Sequence, residues 1–183
     1  MISTNSRKWI SAMQVSLDGF VEDSEGKTDW IDSWADAIQL IDDVDTFLLG
    51  GKMYPGYGEY WGSIYENPQQ IAPNPEVPSQ EERPPSGSEI EYARLAAKTP
   101  HVILSTTLQS VSWPQAQIVR NIAALQELKS TPGKNTYVVG GAGLVASLMD
   151  AGLIDEIRLI VHPVILGSGK PLFNVVRQHP LQF

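Results

Sequence analysis

The chain has 183 residues, 21 acidic against 13 basic side chains, a formal net charge of −8 and no cysteine. This length suits one compact domain over residues 1–183, and the lack of cysteine excludes disulfides, thiolate metal sites and cysteine nucleophiles. The negative charge argues against a protein that coats nucleic acid, and no apolar run approaches the ~18 residues of a membrane helix. The N-terminus has no apolar signal core after its charges, so a cytoplasmic protein is the expectation. The charge is uneven, acidic over the first fifty residues and locally basic over the C-terminal half. A basic half could hold a small phosphorylated ligand, but from charge alone an ordinary solvated surface is the better account.

Lys8 to Val15 alternates around Trp9, Ile10, Met13 and Val15 and predicts a first strand. Ser16-Leu17-Asp18-Gly19 turns the chain, since Asp bonds the local backbone and Gly accepts positive φ. Glu22 to Thr28 reads as a polar loop. Trp34, Ile38 and Ile41 fall at helical spacing. Thr46 to Leu49 is a short buried strand ending in Gly50-Gly51, and Val102-Ile103-Leu104 repeats it before Ser105-Thr106-Thr107. The stretch 62–88 holds six prolines and few large apolar residues. It is read as a long surface loop inserted in the domain, either a lid or a tolerated insertion. Asn121 is an N-cap for a helix carrying Ile122, Leu125 and Leu128, stopped by Pro132-Gly133. Thr136 to Val139 is a strand ending in Gly140-Gly141. Leu144, Val145, Leu148 and Met149 mark the next helix, with Gly152 past its end. Ile157 to Val161 is a further strand. Strands alternating with helices imply an α/β sheet covered on both faces.

Three strands thus end in small or hydroxylic residues: Gly50-Gly51-Lys52, Ser105-Thr106-Thr107 and Gly140-Gly141-Ala142-Gly143. Ligands of open α/β sheets bind outside the carboxyl ends of the strands. Glycine there lets the backbone approach a phosphate, and a following helix offers N–H groups and a positive dipole end. Lys52 adds a point charge, and Ser105 and Thr106 add hydroxyl donors. Each signal alone is unspecific, because a Gly-Gly after a strand is commonly a tight turn. Neither G-x-G-x-x-G nor the P-loop pattern is present, and there is no G-x-S-x-G elbow. His101, His162 and His179 lack metal-ligand spacing. Asp42, Asp43 and Asp45 read as a solvated helix end. Asp29-Trp30 pairs an acid with an aromatic that could orient a flat heterocycle; a helix-start Asp beside a core Trp is the simpler account.

The order of these pieces resembles the dihydrofolate reductase-like family, in the branch of the riboflavin-biosynthesis reductase domain. It rests on Ser16-Leu17-Asp18-Gly19, Asp29-Trp30, Leu49-Gly50-Gly51-Lys52-Met53-Tyr54, Leu104-Ser105-Thr106-Thr107-Leu108, Val139-Gly140-Gly141-Ala142-Gly143-Leu144 and Gly152-Leu153-Ile154-Asp155-Glu156-Ile157-Arg158-Leu159. The most specific run is His162-Pro163-Val164-Ile165-Leu166-Gly167-Ser168-Gly169-Lys170-Pro171-Leu172-Phe173.

The resemblance implies a three-layer α/β/α fold around a mixed, mostly parallel sheet, with NADPH as cofactor. It assigns Gly50, Gly51, Lys52 and Met53 to the cofactor phosphates, with Lys52 replacing the forked guanidinium of the family. Tyr54 falls near the pyrophosphate, Ser105, Thr106 and Thr107 at the 2′-phosphate, and Gly140, Gly141, Ala142, Gly143 and Leu144 at the diphosphate turn. Gln14 and Ser16 fall beside the nicotinamide. Asp29 and Trp30 fall where the family holds its heterocyclic substrate, so Asp29, Trp30 and Ser16 are the catalytic candidates. The implied reaction is NADPH-dependent hydride transfer to a small heterocycle of pterin, folate or ribosylaminopyrimidine type, without metal or nucleic acid. An NADP(H)-binding module without turnover is the alternative, and a partner-binding protein that has repurposed the fold is the third reading. The family continues with two more strands where this chain ends at Phe183. Dimers are common in this branch, so the resemblance also implies a homodimer, in which a partner subunit could cover an exposed sheet edge.

Overall fold

The computed structural model describes residues 7–31, 43–69, 84–113, 115–174 and 178–182. In chain order the elements are β1 (Trp9–Ser16), β2 (Phe20–Asp23), β3 (Val44–Gly50), α1 (Tyr54–Glu66), α2 (Gly87–Lys98), β4 (His101–Leu104), β5 (Ala116–Val119), α3 (Ile122–Lys129), β6 (Asn135–Gly140), α4 (Ala142–Asp150), β7 (Glu156–His162) and β8 (Gly169–Pro171). Six strands form one sheet in the order β5-β4-β3-β6-β1-β7, and β2 and β8 form a separate ribbon. Every pairing in the large sheet is parallel. The antiparallel pairing is confined to the ribbon.

Side chains alternate across the strands and so build two cores. Trp9, Leu48, Val102 and Val138 pack with Leu125 of α3 and Val145 and Leu148 of α4. Their neighbours Ile10, Phe47, Leu49 and Val139 pack on the other face with Tyr57 and Trp61 of α1 and Tyr92, Ala93 and Ala96 of α2. This is the three-layer α/β/α architecture that the sequence implies. Each fully buried large side chain contributes roughly 1.5–3 kcal/mol relative to exposure. At the amino ends of the strands, Arg7 braces β3 and β6 together. Its guanidinium donates to Asp45 and Thr46, each at 2.7 Å, and to Thr136 at 3.2 Å.

The connections leave β3 and β6 in opposite directions. From β3 the chain passes through α1 and α2 to β4, and from β6 it passes through α4 over β1 to β7. The neighbouring carboxyl ends of β3 and β6 are therefore a topological switch point, where an open α/β sheet leaves a crevice.

The expected strands at residues 8–15, 46–49, 102–104, 136–139 and 157–161 all form, with shifted ends. The helix expected over Trp34 to Ile41 lies outside the described residues. Asn121 caps α3 as expected, accepting from the Ala124 N–H at 2.9 Å. Gly152 follows α4 at φ +69°. Helices take both ends of the stretch expected to be a loop, since α1 runs to Glu66 and α2 begins at Gly87; residues 70–83 of it lie outside the described residues. α1 is hard to read because it contains Pro55 and three glycines. One of these has a packing reason, since a Cβ on Gly62 would crowd the Trp113 indole at 3.4 Å, whereas one on Gly58 would make only an ordinary 3.8 Å contact. α2 carries an overlooked capping box, with Ser86 accepting from the Glu89 N–H and Glu89 accepting from the Ser86 N–H.

Gly169 joins the ribbon by a backbone contact no side chain permits. Its φ is +155°, and a Cβ there would lie 2.1 Å from the Glu22 carbonyl oxygen. Gly169→Ala is expected to lower stability by about 2–4 kcal/mol. A fall in the urea midpoint at unchanged m-value is the corresponding measurement.

Candidate active site

The switch point opens into a cleft of about 1020 Å³, at the top of the usual range for one small ligand. Along the sheet it meets in turn the start of α1 after β3, the start of α4 after β6, and the β1–β2 region beside the ribbon. Gln14, Gly50, Gly51, Lys52, Met53, Gly141, Ala142, Gly143 and Leu144 all line it. Nine of the residues assigned from the resemblance are thus brought together from three separate strand ends.

The α4 end suits an anion. Its N-cap, Gly141, has no side-chain cap, and its first turn carries no acid. Leu144 and Val145 donate to the Gly141 carbonyl at 2.9 and 3.2 Å. The Ala142 and Gly143 N–H groups lie before that ladder, at residues that line the cleft. A Cβ on Gly141 or Gly143 would meet nothing within 4 Å, so the opening there is backbone-lined. The Gly140–Gly141 peptide is cis. Gly140 has φ +131°, and a Cβ on it would come within 3.2 Å of Met13 Sδ, so glycine is required. Lys52 is exposed on the rim and is in no ion pair among the described residues. Lys170, also on the cleft, is paired with Glu22 at 3.1 Å. Lys27 is paired with Glu25 in the turn after β2.

The wall under α1 is aromatic. Tyr57, Tyr60, Trp61, Tyr92 and Tyr137 all border the cleft. Behind them His101 is fully buried. Its Nδ1 lies 2.7 Å from the Thr99 carbonyl oxygen, which only accepts, so Nδ1 carries the proton. Nε2 then accepts from the Tyr57 hydroxyl at 3.4 Å, and Tyr57 in turn accepts from Tyr92 at 3.2 Å. Burial pushes the Tyr57 phenol well above its ordinary pKa and pushes His101 down to about 4. Sequence reasoning missed this wall. Its signal was the spacing of Tyr54, Tyr57 and Trp61, one face of a helix.

The other assigned residues lie elsewhere. Tyr54 is buried, and its hydroxyl accepts from the Ser112 and Trp113 N–H groups, both at 3.1 Å. It secures the 108–113 loop. Ser105 is buried at the end of β4, where its hydroxyl accepts from the Thr107 and Leu108 N–H groups. Thr106 and Thr107 are exposed beside it. Arg120, which the sequence did not flag, clamps this turn by donating to the Ser105 and Leu108 carbonyls at 2.9 and 2.7 Å. The Ser16 hydroxyl donates to Asp18 at 2.7 Å and accepts from the Phe20 N–H at 2.9 Å, so it closes the β1–β2 turn. That hydrogen bond, with those from Leu166 and Gly167, holds Asp18 below its usual carboxylate range. Asp29 stands at the edge of this region. It is exposed and lies outside the cleft lining, where its neighbours Thr28 and Ile31 do the lining. Trp30 stands behind the cleft, packed edge-on against His162 with centroids 5.3 Å apart.

The sequence matches the RibD C-terminal domain family over residues 7–182. The chain belongs to that family. YyaP of Bacillus subtilis, itself uncharacterized, is 33% identical over 175 residues, covering 94% of this chain and 83% of its own length. Solved structures confirm the fold. A dihydrofolate reductase of Enterococcus faecalis, complexed with NADP(H), superposes with TM-score 0.55 at 11% identity, covering 92% of this chain and 79% of its own. The Thermotoga maritima diaminohydroxyphosphoribosylaminopyrimidine deaminase/5-amino-6-(5-phosphoribosylamino)uracil reductase gives 0.54 at 15% identity, covering 96% of this chain and 50% of its own. Among the described residues no helix is long and apolar enough to cross a membrane.

His101 makes stability pH-dependent. Its folded pKa of about 4 lies below the ordinary value of 6.5, so the unfolded chain takes up the proton first. The stabilisation is complete above pH 6.5 and is lost as pH falls toward 4. Between pH 7 and 5 the loss should be about 1–2 kcal/mol. Urea unfolding across that range should show a shallower pH slope in His101→Phe.

Proposed function

We propose that this chain is an NADPH-dependent reductase of a small heterocycle of pterin, folate or ribosylaminopyrimidine type. The observation that carries the reading is a single cleft joining an uncapped helix N-terminus with a glycine-lined approach to an aromatic wall. A dinucleotide phosphate fits the first and a flat ring the second. Membership of the RibD C-terminal domain family supports the same assignment.

In this reading Gly141, Ala142, Gly143 and Leu144 hold the diphosphate with backbone N–H groups. Gly50, Gly51, Lys52 and Met53 form the facing rim, and Lys52 supplies the cation. Gly140 keeps the turn low enough for the ligand to approach. Ser105, Thr106 and Thr107 stand at the adenosine end, with Arg120 fixing their turn. Gln14, at the carboxyl end of β1, lies beside the nicotinamide. Bound NADPH would supply the hydride. The protein orients both rings and excludes water with Tyr57, Trp61, Ile31 and Val139, and needs no nucleophile of its own. Asp29 acts only if the loop carrying it turns inward, so Thr28 and Ile31 are the nearer substrate contacts.

Two further features belong to this proposal. β7 is an edge strand with exposed Leu159 and Val161, and Leu17 and Ile165 are exposed near its carboxyl end. A second copy of the chain covering that edge makes a homodimer. A cytoplasmic setting fits a cysteine-free chain that uses NADPH.

Titration with NADPH and NADH, followed by quenching of tryptophan fluorescence, tests the cofactor. Micromolar NADPH binding with weaker NADH is expected, and Lys52→Ala should weaken NADPH roughly tenfold while changing NADH less. Binding without NADPH oxidation across a panel of pterins and aminopyrimidines would favour the non-catalytic NADP(H)-binding module. No binding by folded protein would remove the reductase reading. Sedimentation should give twice the chain mass, and Leu159→Glu with Val161→Glu should return the monomer.

A further inference from the structure

Two thioethers meet at the glycine turn that ends β6. Met13 comes from β1 and packs against the core under α3 and α4, whereas Met53 precedes α1 and packs against the core under α1 and α2. They converge on Gly140. A Cβ there would lie 3.2 Å from Met13 Sδ and 3.5 Å from Met53 Sδ, so the two sulfurs border the space that the missing side chain leaves. Both residues are half-buried, and both line the cleft together with Gly141, Ala142 and Gly143. Met149 is buried in the core, and Met1 lies outside the described residues. The chain holds no cysteine. A peroxide entering the cleft therefore meets these two thioethers as the most readily oxidised side chains there.

We propose that Met13 and Met53 form a paired oxidation site: hydrogen peroxide converts them to methionine sulfoxides, and the sulfoxides close the glycine turn to the cofactor phosphates. The second half rests on the NADPH reading above. In each conversion a sulfur lone pair attacks one peroxide oxygen. The O–O bond breaks, an S–O bond forms, and the other oxygen leaves as water. Sulfur gives up two electrons and the peroxide takes them. A soft apolar group thereby becomes a polar one with a strong acceptor oxygen. That oxygen carries the same sign of charge as a phosphate. It competes for the same donors, the N–H groups at the start of α4 and the ammonium of Lys52. The change is reversible, because methionine sulfoxide reductases of the two epimer classes restore the thioether.

The test treats the folded wild-type chain with hydrogen peroxide, with and without saturating NADPH, and maps the products by peptide mass spectrometry. Met13 and Met53 are expected to gain one oxygen each while Met149 stays reduced, and bound NADPH should slow both conversions severalfold. Calorimetric titration of the oxidised chain should give an NADPH affinity about tenfold weaker than before treatment, restored by the two reductases. A double variant, Met13→Leu with Met53→Leu, keeps the apolar volume and retains Met1 and Met149. Measured against its own untreated state, it should lose no affinity on treatment. An equal loss in that variant overturns the proposal, as does oxidation of Met149 ahead of the pair, or complete oxidation of the pair with NADPH affinity unchanged. An untreated wild-type chain that binds no NADPH overturns the NADPH reading instead, and the mass map then decides the oxidation site by itself.

Discussion

The carboxyl ends of β3 and β6 are adjacent, and the chain leaves them in opposite directions. That divergence is the constraint on which the cleft depends. Were α1 and α4 to cross on the same side, one would cover the other's strand end and no crevice would form. Both helices instead begin at the same opening, with their N-termini toward it. Neither start is blocked by a side-chain cap or an acid in its first turn. The most positive parts of the backbone therefore lie within one cavity.

The cleft divides into two chemistries because its walls come from different layers. Backbone N–H groups and Lys52 dominate where α4 begins. Tyrosine and tryptophan rings dominate under α1, where the helix shows the cleft the side of the face it packs on the sheet. The hydroxyls of that wall are not loose. A single tautomer of buried His101 sets the direction of the chain from Tyr92 to Tyr57 to His101. Such a satisfied buried network keeps the wall rigid. On the far side His162 Nε2 lies 2.8 Å from Gln14 Oε1, and Trp30 packs edge-on against the imidazole.

Much of this was legible in the chain. The short apolar runs ending in glycine or hydroxylic residues are strand ends, and they are where the cleft lies. Asn121 announced α3, and Gly140 to Leu144 announced the α4 approach. Those signals are local: a cap, a turn and a strand each need only a few neighbouring residues. α1 was not legible, because its Pro55 and its glycines read as loop. The reason for Gly62 lies in Trp113, far off in sequence, whose ring lies close against that position. α2 was legible in principle through Ser86 and Glu89, but the prolines before it masked that pair.

The residues of the site divide along the same line. The sequence by itself determined the fold class, the glycine-lined turns and the set of strand ends that border the cleft, because backbone conformation and hydrophobic alternation are short-range properties. Only the tertiary structure decided which side chains face the cleft. Tyr54, Ser105 and Ser16 sit at the right places along the chain, yet their hydroxyls are taken up by loop amides and turn contacts nearby. Asp29 sits beside the cleft and points to solvent. His162 and Gln14 are 148 positions apart, and nothing local relates them. They meet because β1 and β7 pair in one register, and register is set by the burial of the whole sheet face.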